Sequence, residues 1–313
     1  MPPAPDLVER AYAACEALAK SHYENFPVAS WLLPAPMRRH VSAVYAYARI
    51  ADDIADEGTV PAEERRVRLD AWQRRLHAAV AREQTAVRSP QEAEGAEAPG
   101  LDGGGAGAPG LNDDLIVIAA AHSIRSLPLP IDLFDDLISA FAQDTTTKRY
   151  DSWTSVLDYC RRSANPVGRL VLRIAGYRDD RLDRSSDALC TALQLTNFWQ
   201  DFGRDWRAGR LYVPREVAAA RGAIDADLAA DRVTPAWADA LGECAAFTAK
   251  LFEQGRAVCD GVGGRLRYEL RFTWLGGRRI LEKVERARAD ALTNRPTLGA
   301  RDAPLLMWRA MRW

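Results

Sequence analysis

The segment Tyr45-Ala-Tyr-Ala-Arg49-Ile-Ala-Asp52-Asp53-Ile-Ala-Asp56-Glu57 reads as helix, and as a helix it gathers its chemistry on one side. Alanine recurs through it, and neither glycine nor proline interrupts it. At about 100° per residue, positions 45, 49, 52 and 56 fall near 0°, 40°, 340° and 20°. Tyr45, Arg49, Asp52 and Asp56 therefore share one narrow stripe. Asp52 and Asp56 stand four apart, with Cβ atoms about 5–6 Å from each other. Two carboxylates at that spacing repel unless a cation lies between them. Oxygen-only ligands suit Mg²⁺, which commonly shares phosphate oxygens.

A second stripe lies downstream in Gln194-Leu-Thr-Asn197-Phe-Trp-Gln-Asp201-Phe-Gly-Arg-Asp205. Positions 194, 197, 201 and 205 fall near 0°, 300°, 340° and 20° on the same rule. The flanking Leu195, Phe198, Trp199 and Phe202 predict a buried helix, where carboxylates are costly unless paired or metal-bound. A lone Asp-x-x-x-Asp is more often a solvated acidic face, and nearby arginines are often surface pairs of small value. Two such stripes, each with polar or aromatic groups upstream, point together to a diphosphate site. Mg²⁺ held by Asp52, Asp56, Asp201 and Asp205 would stabilise the charge of a leaving diphosphate. Arg49 can add a bidentate hydrogen bond to phosphate. An allylic C–O bond so assisted ionises to a carbocation, which needs a dry pocket with aromatic faces.

Outward from these stripes nearly everything reads as helix. The pattern predicts helices near 6–20, 34–57, 61–85, 112–126, 130–144, 152–162, 166–177, 183–207, 235–260 and 265–291. Arg210 to Pro214 is too short for a strand and ends in proline. The expected architecture is all-α, about ten helices around a central apolar cavity. Ser89 to Gly110 is rich in Gly, Ala, Pro and Glu, with Leu101 its one large apolar residue. Such a stretch cannot offset its ordering entropy, which predicts a disordered loop. The two stripes lie on opposite sides of it and have to meet, so residues 1–313 are expected to form a single domain.

Composition excludes other classes. The chain has 313 residues, 42 basic against 43 acidic, and a net charge of −1. Without a basic footprint, nucleic acid is not an expected partner. Five cysteines are scattered without a C-x-x-C pair, so neither a disulfide framework nor a zinc site is expected. Met1 to Glu9 has no apolar core and is not read as a signal peptide. Leu115 to Ala121 is the longest strongly apolar run, far short of the about 20 residues a spanning helix needs. A cytoplasmic protein, at most resting on a membrane surface, is expected.

These residues resemble the squalene/phytoene synthase superfamily of head-to-head isoprenyl diphosphate synthases, from about His22 to about Glu285. The two stripes are similar to its two aspartate-rich motifs, the second followed by Gly209-Arg210-Leu-Tyr-Val-Pro214. Tyr159-Cys160 resembles the family's Tyr-Cys pair, whose tyrosine lies over the reacting carbons. Phe26 resembles an aromatic near the pocket mouth. His22-Tyr-Glu-Asn-Phe-Pro-Val-Ala-Ser30, Ser163-Ala-Asn-Pro-Val-Gly168 and Asn197-Phe-Trp-Gln-Asp201 resemble the hydroxysqualene synthase branch of bacterial hopanoid biosynthesis.

The resemblance implies an isoprenoid synthase-type bundle, Mg²⁺ as cofactor, and presqualene diphosphate or a related prenyl diphosphate as substrate. It implies ionisation, rearrangement and water capture. The alternative is a condensing synthase making presqualene diphosphate, phytoene or dehydrosqualene. Peripheral contact with the inner face of the cell membrane, and with other hopanoid-pathway enzymes, is left open. Tyr45, Tyr159, Asp52 and Asp201 are the expected catalytic residues. Phe26, Arg49, Gln194, Asn197 and Asn165 are the expected substrate contacts. Asn165 is a candidate to hold the capturing water, its other reading being an outward-pointing amide. Asn165-Pro166 departs from the family's Ala-Gly-x-Val-Gly run and predicts a kinked helix. Gly261-Val-Gly-Gly264 follows no strand and reads as a helix–helix turn rather than a dinucleotide loop.

Overall fold

Helix formers dominate the chain, and the structure places them almost entirely in helices. A computed structural model describes residues 5–21, 33–56, 60–88 and 111–313. His22, Phe26 and the Ser89–Gly110 stretch lie outside the described residues. The first half holds α1 (Pro5–Ser21), α2 (Ala35–Asp56), α3 (Ala62–Arg88), α4 (Leu111–Ser126), α5 (Asp132–Asp144) and α6 (Trp153–Ser163). The second holds α7 (Asn165–Ile174), α8 (Asp180–Gln200), α9 (Phe202–Arg207), α10 (Arg215–Ala220), α11 (Asp225–Ala229), α12 (Pro235–Gly261), α13 (Gly264–Arg286) and α14 (Ala303–Met311). The β pairing among the described residues is an isolated bridge between Arg149 and Leu211.

Helix α8 packs against α12, α7 and α13, while α1 packs against α2 and α4. One apolar cluster runs through both groups, from Ala11 on α1 to Leu292 beyond α13. The α8–α12 crossing is close because Gly255 has no side chain. A Cβ there would stand 2.6 Å from the Leu189 backbone nitrogen.

Four local outcomes differ from the sequence reading or sharpen it. The expected helix 183–207 is two helices, parted at Asp201 (φ −93°, ψ 10°). Just beyond the break the Leu292 backbone closes on Gly203, where a Cβ would lie 2.1 Å from the Leu292 oxygen. The Asp205 N–H still donates to the Asp201 carbonyl at 2.9 Å, so the four-residue spacing of the two aspartates survives. Pro166 does not kink a helix: α6 ends at Ser163, and Pro166 sits in the first turn of α7. There its missing N–H is one that no intrahelical carbonyl would have met. Gly261–Gly264 is the turn between α12 and α13, with Gly264 at φ +59°. Helices α10, α11 and α14 are too short for their periodicity to stand out in the sequence.

Candidate active site

Helix α2 carries Tyr45, Arg49, Asp52 and Asp56; α8 carries Gln194 and Asn197, Asp201 caps its end, and α9 carries Asp205. The tertiary fold turns these stripes toward each other. Asp52, Asp56, Gln194, Asn197, Asp201 and Asp205 all line one polar hollow of about 380 Å³. Asp52, Gln194 and Asn197 also line an adjoining apolar cavity of about 550 Å³. The polar and apolar spaces therefore meet along these three side chains. A charged head and a hydrocarbon tail would find separate environments there.

Arginines hold two of the carboxylates. Arg210 donates to both oxygens of Asp56 at 2.9 Å. Arg295 grips Asp201 through Nε at 2.5 Å and Nη2 at 3.2 Å. Asp52 and Asp205 keep raised carboxyls. Burial and the neighbouring Asp56 push Asp52 up to about 6. Burial, with Asp201 and Asp56 nearby, pushes Asp205 up to about 7. The hollow thus holds more carboxylate than its arginines comfortably neutralise, which is the condition an added cation relieves. Among the described residues no three carboxylate, histidine or cysteine groups converge into a ready-made cage. The donors that line the hollow are carboxylate oxygens from both stripes, the ligand type that suits Mg²⁺, which usually takes one or two carboxylates and completes its shell with phosphate and water.

Several residues stand apart from their expected places. Tyr45 lines the apolar cavity rather than the polar hollow. Arg49 turns to Asp53 at 2.7 Å and to Asp52 at 3.5 Å, while the arginines lining the polar hollow are Arg204, Arg210 and Arg295. The α2 stripe therefore contributes its carboxylates to the hollow, and cationic contact comes largely from elsewhere in the chain. Asn165 corrects the expectation most clearly. It is buried at the start of α7, and its Oδ1 accepts from Thr191 Oγ1 at 2.9 Å. It ties α7 to α8 and is not among the residues lining either space. Arg279 on α13 pairs with Asp302 and Glu282 and lines neither space.

Tyr159 lines the polar hollow and donates its hydroxyl to Asp144 Oδ2 at 2.7 Å. Asp144 is buried, lines the same hollow, and has its Oδ1 without a partner. Burial, with Asp56 and Asp52 nearby, pushes its carboxyl up to about 7. Above it Phe198 stacks on Tyr212, ring centroids 3.7 Å apart and planes within 4°. Tyr159 completes the aromatic wall at 6.1 Å from Phe198. Asp144, Tyr212 and Arg295 are the residues that sequence reasoning missed as site members. Arg295 lies 94 positions from its partner, beyond any periodic signal. Asp144 ends α5 with no polar stripe behind it.

The family model described as squalene/phytoene synthase matches residues 19–309. Hydroxysqualene synthase of Sinorhizobium fredii is 34% identical over 249 residues, covering 79% of this chain and 74% of its own. Hydroxysqualene synthase of Rhodopseudomonas palustris is 36% identical over 240 residues, covering 76% and 71%. The crystal structure of squalene synthase HpnC from Alicyclobacillus acidocaldarius superposes with a TM-score of 0.75 at 35% identity, over 90% of this chain and 96% of that one. A dehydrosqualene synthase solved with a ligand gives a TM-score of 0.76 at 20% identity over 97% and 96%, a likeness of fold alone. The fold is the all-α isoprenoid synthase bundle. With the family model spanning nearly the whole length and relatives above 30% identity over more than two thirds of it, the chain belongs to the squalene/phytoene synthase family of enzymes.

Proposed function

We propose that this chain is a hydroxysqualene synthase: it ionises presqualene diphosphate, rearranges the cation and lets water capture it, releasing diphosphate. The observation that carries the reading is the junction of the two spaces. Facing aspartate stripes line a polar hollow, and Asp52, Gln194 and Asn197 join it to an apolar cavity. The named relatives from Sinorhizobium fredii and Rhodopseudomonas palustris support this branch. Residues 1–313 would act as one isoprenoid synthase domain.

Asp52, Asp56, Asp201 and Asp205 would hold Mg²⁺, which supplies Lewis-acid stabilisation of the departing diphosphate. Arg210 and Arg295 already sit on two of these carboxylates and are placed to turn to phosphate oxygens as the diphosphate enters. Gln194 and Asn197 orient the substrate where head and tail divide. The Phe198–Tyr212 stack and Tyr159 offer aromatic faces to the cation. Asp144 fixes the Tyr159 hydroxyl, so the ring keeps its orientation while charge develops beside it. Tyr45 and the aliphatic wall exclude bulk water.

The test is incubation with presqualene diphosphate and Mg²⁺ without nicotinamide, in ¹⁸O water. The expected product is a labelled alcohol. Unlabelled alcohol, or squalene appearing only with nicotinamide, refutes the reading. Presqualene diphosphate formed from farnesyl diphosphate alone would establish the condensing reaction instead.

We also propose that the C-terminal helices rest on an anionic membrane surface. No helix among the described residues is long and apolar enough to cross a membrane. Tyr268 and Phe272 on α13 and Met307, Trp308 and Met311 on α14 are exposed. Arg265 stands on α13 and Arg312 immediately beyond α14, its guanidinium lying 4.5 Å over the Trp308 ring, while Arg271 and Arg309 are paired with Asp260 and Glu282. Apolar side chains framed by arginine match the charge of anionic headgroups.

A further inference from the structure

Arg295, which grips Asp201 in the polar hollow, comes from a stretch with no helix of its own: residues 294–299, between α13 and α14, form no regular secondary structure. An arginine on an unanchored loop would give up much conformational freedom each time it met a ligand. Here the chain is tied down on both sides of it by side chains that donate to backbone carbonyls. Arg207 donates to the Leu292 carbonyl at 2.8 Å, and Lys283 to that of Thr297 at 2.7 Å. Nearest to Arg295 is the tie from Gln200, whose Nε2 donates to the Pro296 carbonyl at 2.6 Å. Gln200 is buried at the end of α8 and lines neither space. Adjacent residues therefore meet adjacent residues: Gln200 holds Pro296, and Asp201 holds Arg295. Pro296 stiffens the arrangement further, because a proline disfavours helical backbone at the residue before it. The break between α8 and α9 falls at this contact, where Gly203 admits the Leu292 backbone.

We propose that Gln200 is a positioning residue for Arg295: it fixes the backbone beside this arginine, so that only the side chain has to move when the guanidinium leaves Asp201 for a diphosphate oxygen. This rests on the diphosphate reading above. On that reading Asp201 is wanted by Mg²⁺, and the arginine that neutralises it in the empty hollow needs another anion. Phosphate oxygens are the anion that the substrate brings. An arginine whose backbone is already held loses less freedom in reaching them, which is the gain of pre-organisation. Gln200 lines neither space, so its effect has to pass through Arg295.

Inorganic diphosphate is the probe, titrated calorimetrically into the full-length enzyme in the presence of Mg²⁺. Gln200→Met keeps the length and removes the donor. It should weaken diphosphate binding by about ten-fold, and Arg295→Met should weaken it by at least as much. The two together should bind no more weakly than Arg295→Met alone, because both act through one guanidinium. If Gln200→Met fails to fold, Pro296→Ala loosens the same backbone and leaves the glutamine its acceptor. It should weaken binding by about three-fold in the unsubstituted chain and not at all beside Arg295→Met. Unchanged binding in folded Gln200→Met or in Arg295→Met overturns the proposal. So do losses that multiply in the pair, and so does Pro296→Ala acting equally in both backgrounds. An unsubstituted enzyme that binds no diphosphate with Mg²⁺ sinks the diphosphate reading itself, a separate result that takes the proposal with it.

Discussion

At the scale of single residues, the hollow gathers five aspartates, and burial raises the carboxyls of Asp52, Asp144 and Asp205. Asp201 is gripped by Arg295 and joined by Arg204 at 3.8 Å. Substituting Asp201→Asn keeps the shape and removes the charge. Turnover should fall on the order of 10²–10³-fold, the usual effect of deleting one stabiliser of developing charge. Circular dichroism should remain that of the folded chain. A two-fold loss would be too small for a group in the reaction path. Tyr159→Phe tests the neighbouring contact. It leaves the buried Asp144 without its hydroxyl donor, which should cost about 1–3 kcal/mol of stability, read as a lowered urea midpoint. The sequence made Asp201 and Tyr159 visible through spacing and resemblance. It could not show Asp144, because nothing in its local pattern reports that the fold buries it against the Tyr159 hydroxyl.

At the scale of elements, two contacts govern how helices seat. The first is the α8–α12 crossing at Gly255. Any side chain there meets the Leu189 backbone, which cannot rotate away. Gly255→Ala should cost about 1–3 kcal/mol, seen as a fall of several degrees in Tm. The second is a buried polar cluster that ties α1 to α2 and α4. Ser123 donates to the Ala119 carbonyl, and its oxygen lies 3.0 Å from the Tyr12 hydroxyl and 2.9 Å from His40 Nδ1. Tyr12 also approaches His122 at 2.8 Å. Burial, with Arg39 and His122 nearby, lowers His40 from 6.5 to about 4. The folded chain therefore refuses a proton that the unfolded chain accepts. This contribution to stability is fully present above about pH 6.5 and is lost as pH falls toward 4. Thermal melts should show Tm dropping through that window, and His40→Gln should flatten the drop. A slope unaltered by the substitution would assign it to other groups.

At the scale of the whole molecule, the exposed apolar side chains gather toward one end of the sequence. Met307, Trp308 and Met311 on α14 are 57%, 47% and 76% exposed. Seated in lipid, each large apolar side chain is worth about 1.5–3 kcal/mol. The protein should co-sediment with vesicles containing anionic lipid, less with neutral ones, and less at high salt. The pair Trp308→Glu and Met311→Glu should weaken that binding at least about ten-fold while leaving turnover of detergent-dispersed substrate intact. Equal binding to neutral vesicles would remove charge from the explanation.

The sequence by itself determined the helices and the two stripes, because both follow from the turn of a single helix. The spacing of Asp52 and Asp56 is a local fact, and so is that of Asp201 and Asp205, even across the break in their helix. The all-α class followed from composition and period, and the family from motifs that are short and contiguous. Tertiary structure decided everything that joins distant segments. It brought Arg295 to Asp201 and Arg210 to Asp56, spans of 94 and 154 residues. It aimed Arg49 at Asp53, moved Tyr45 to the apolar side, and engaged Asn165 with Thr191. A helical period says which residues share a face; which neighbour that face meets depends on packing between helices, and packing is set by the whole chain at once.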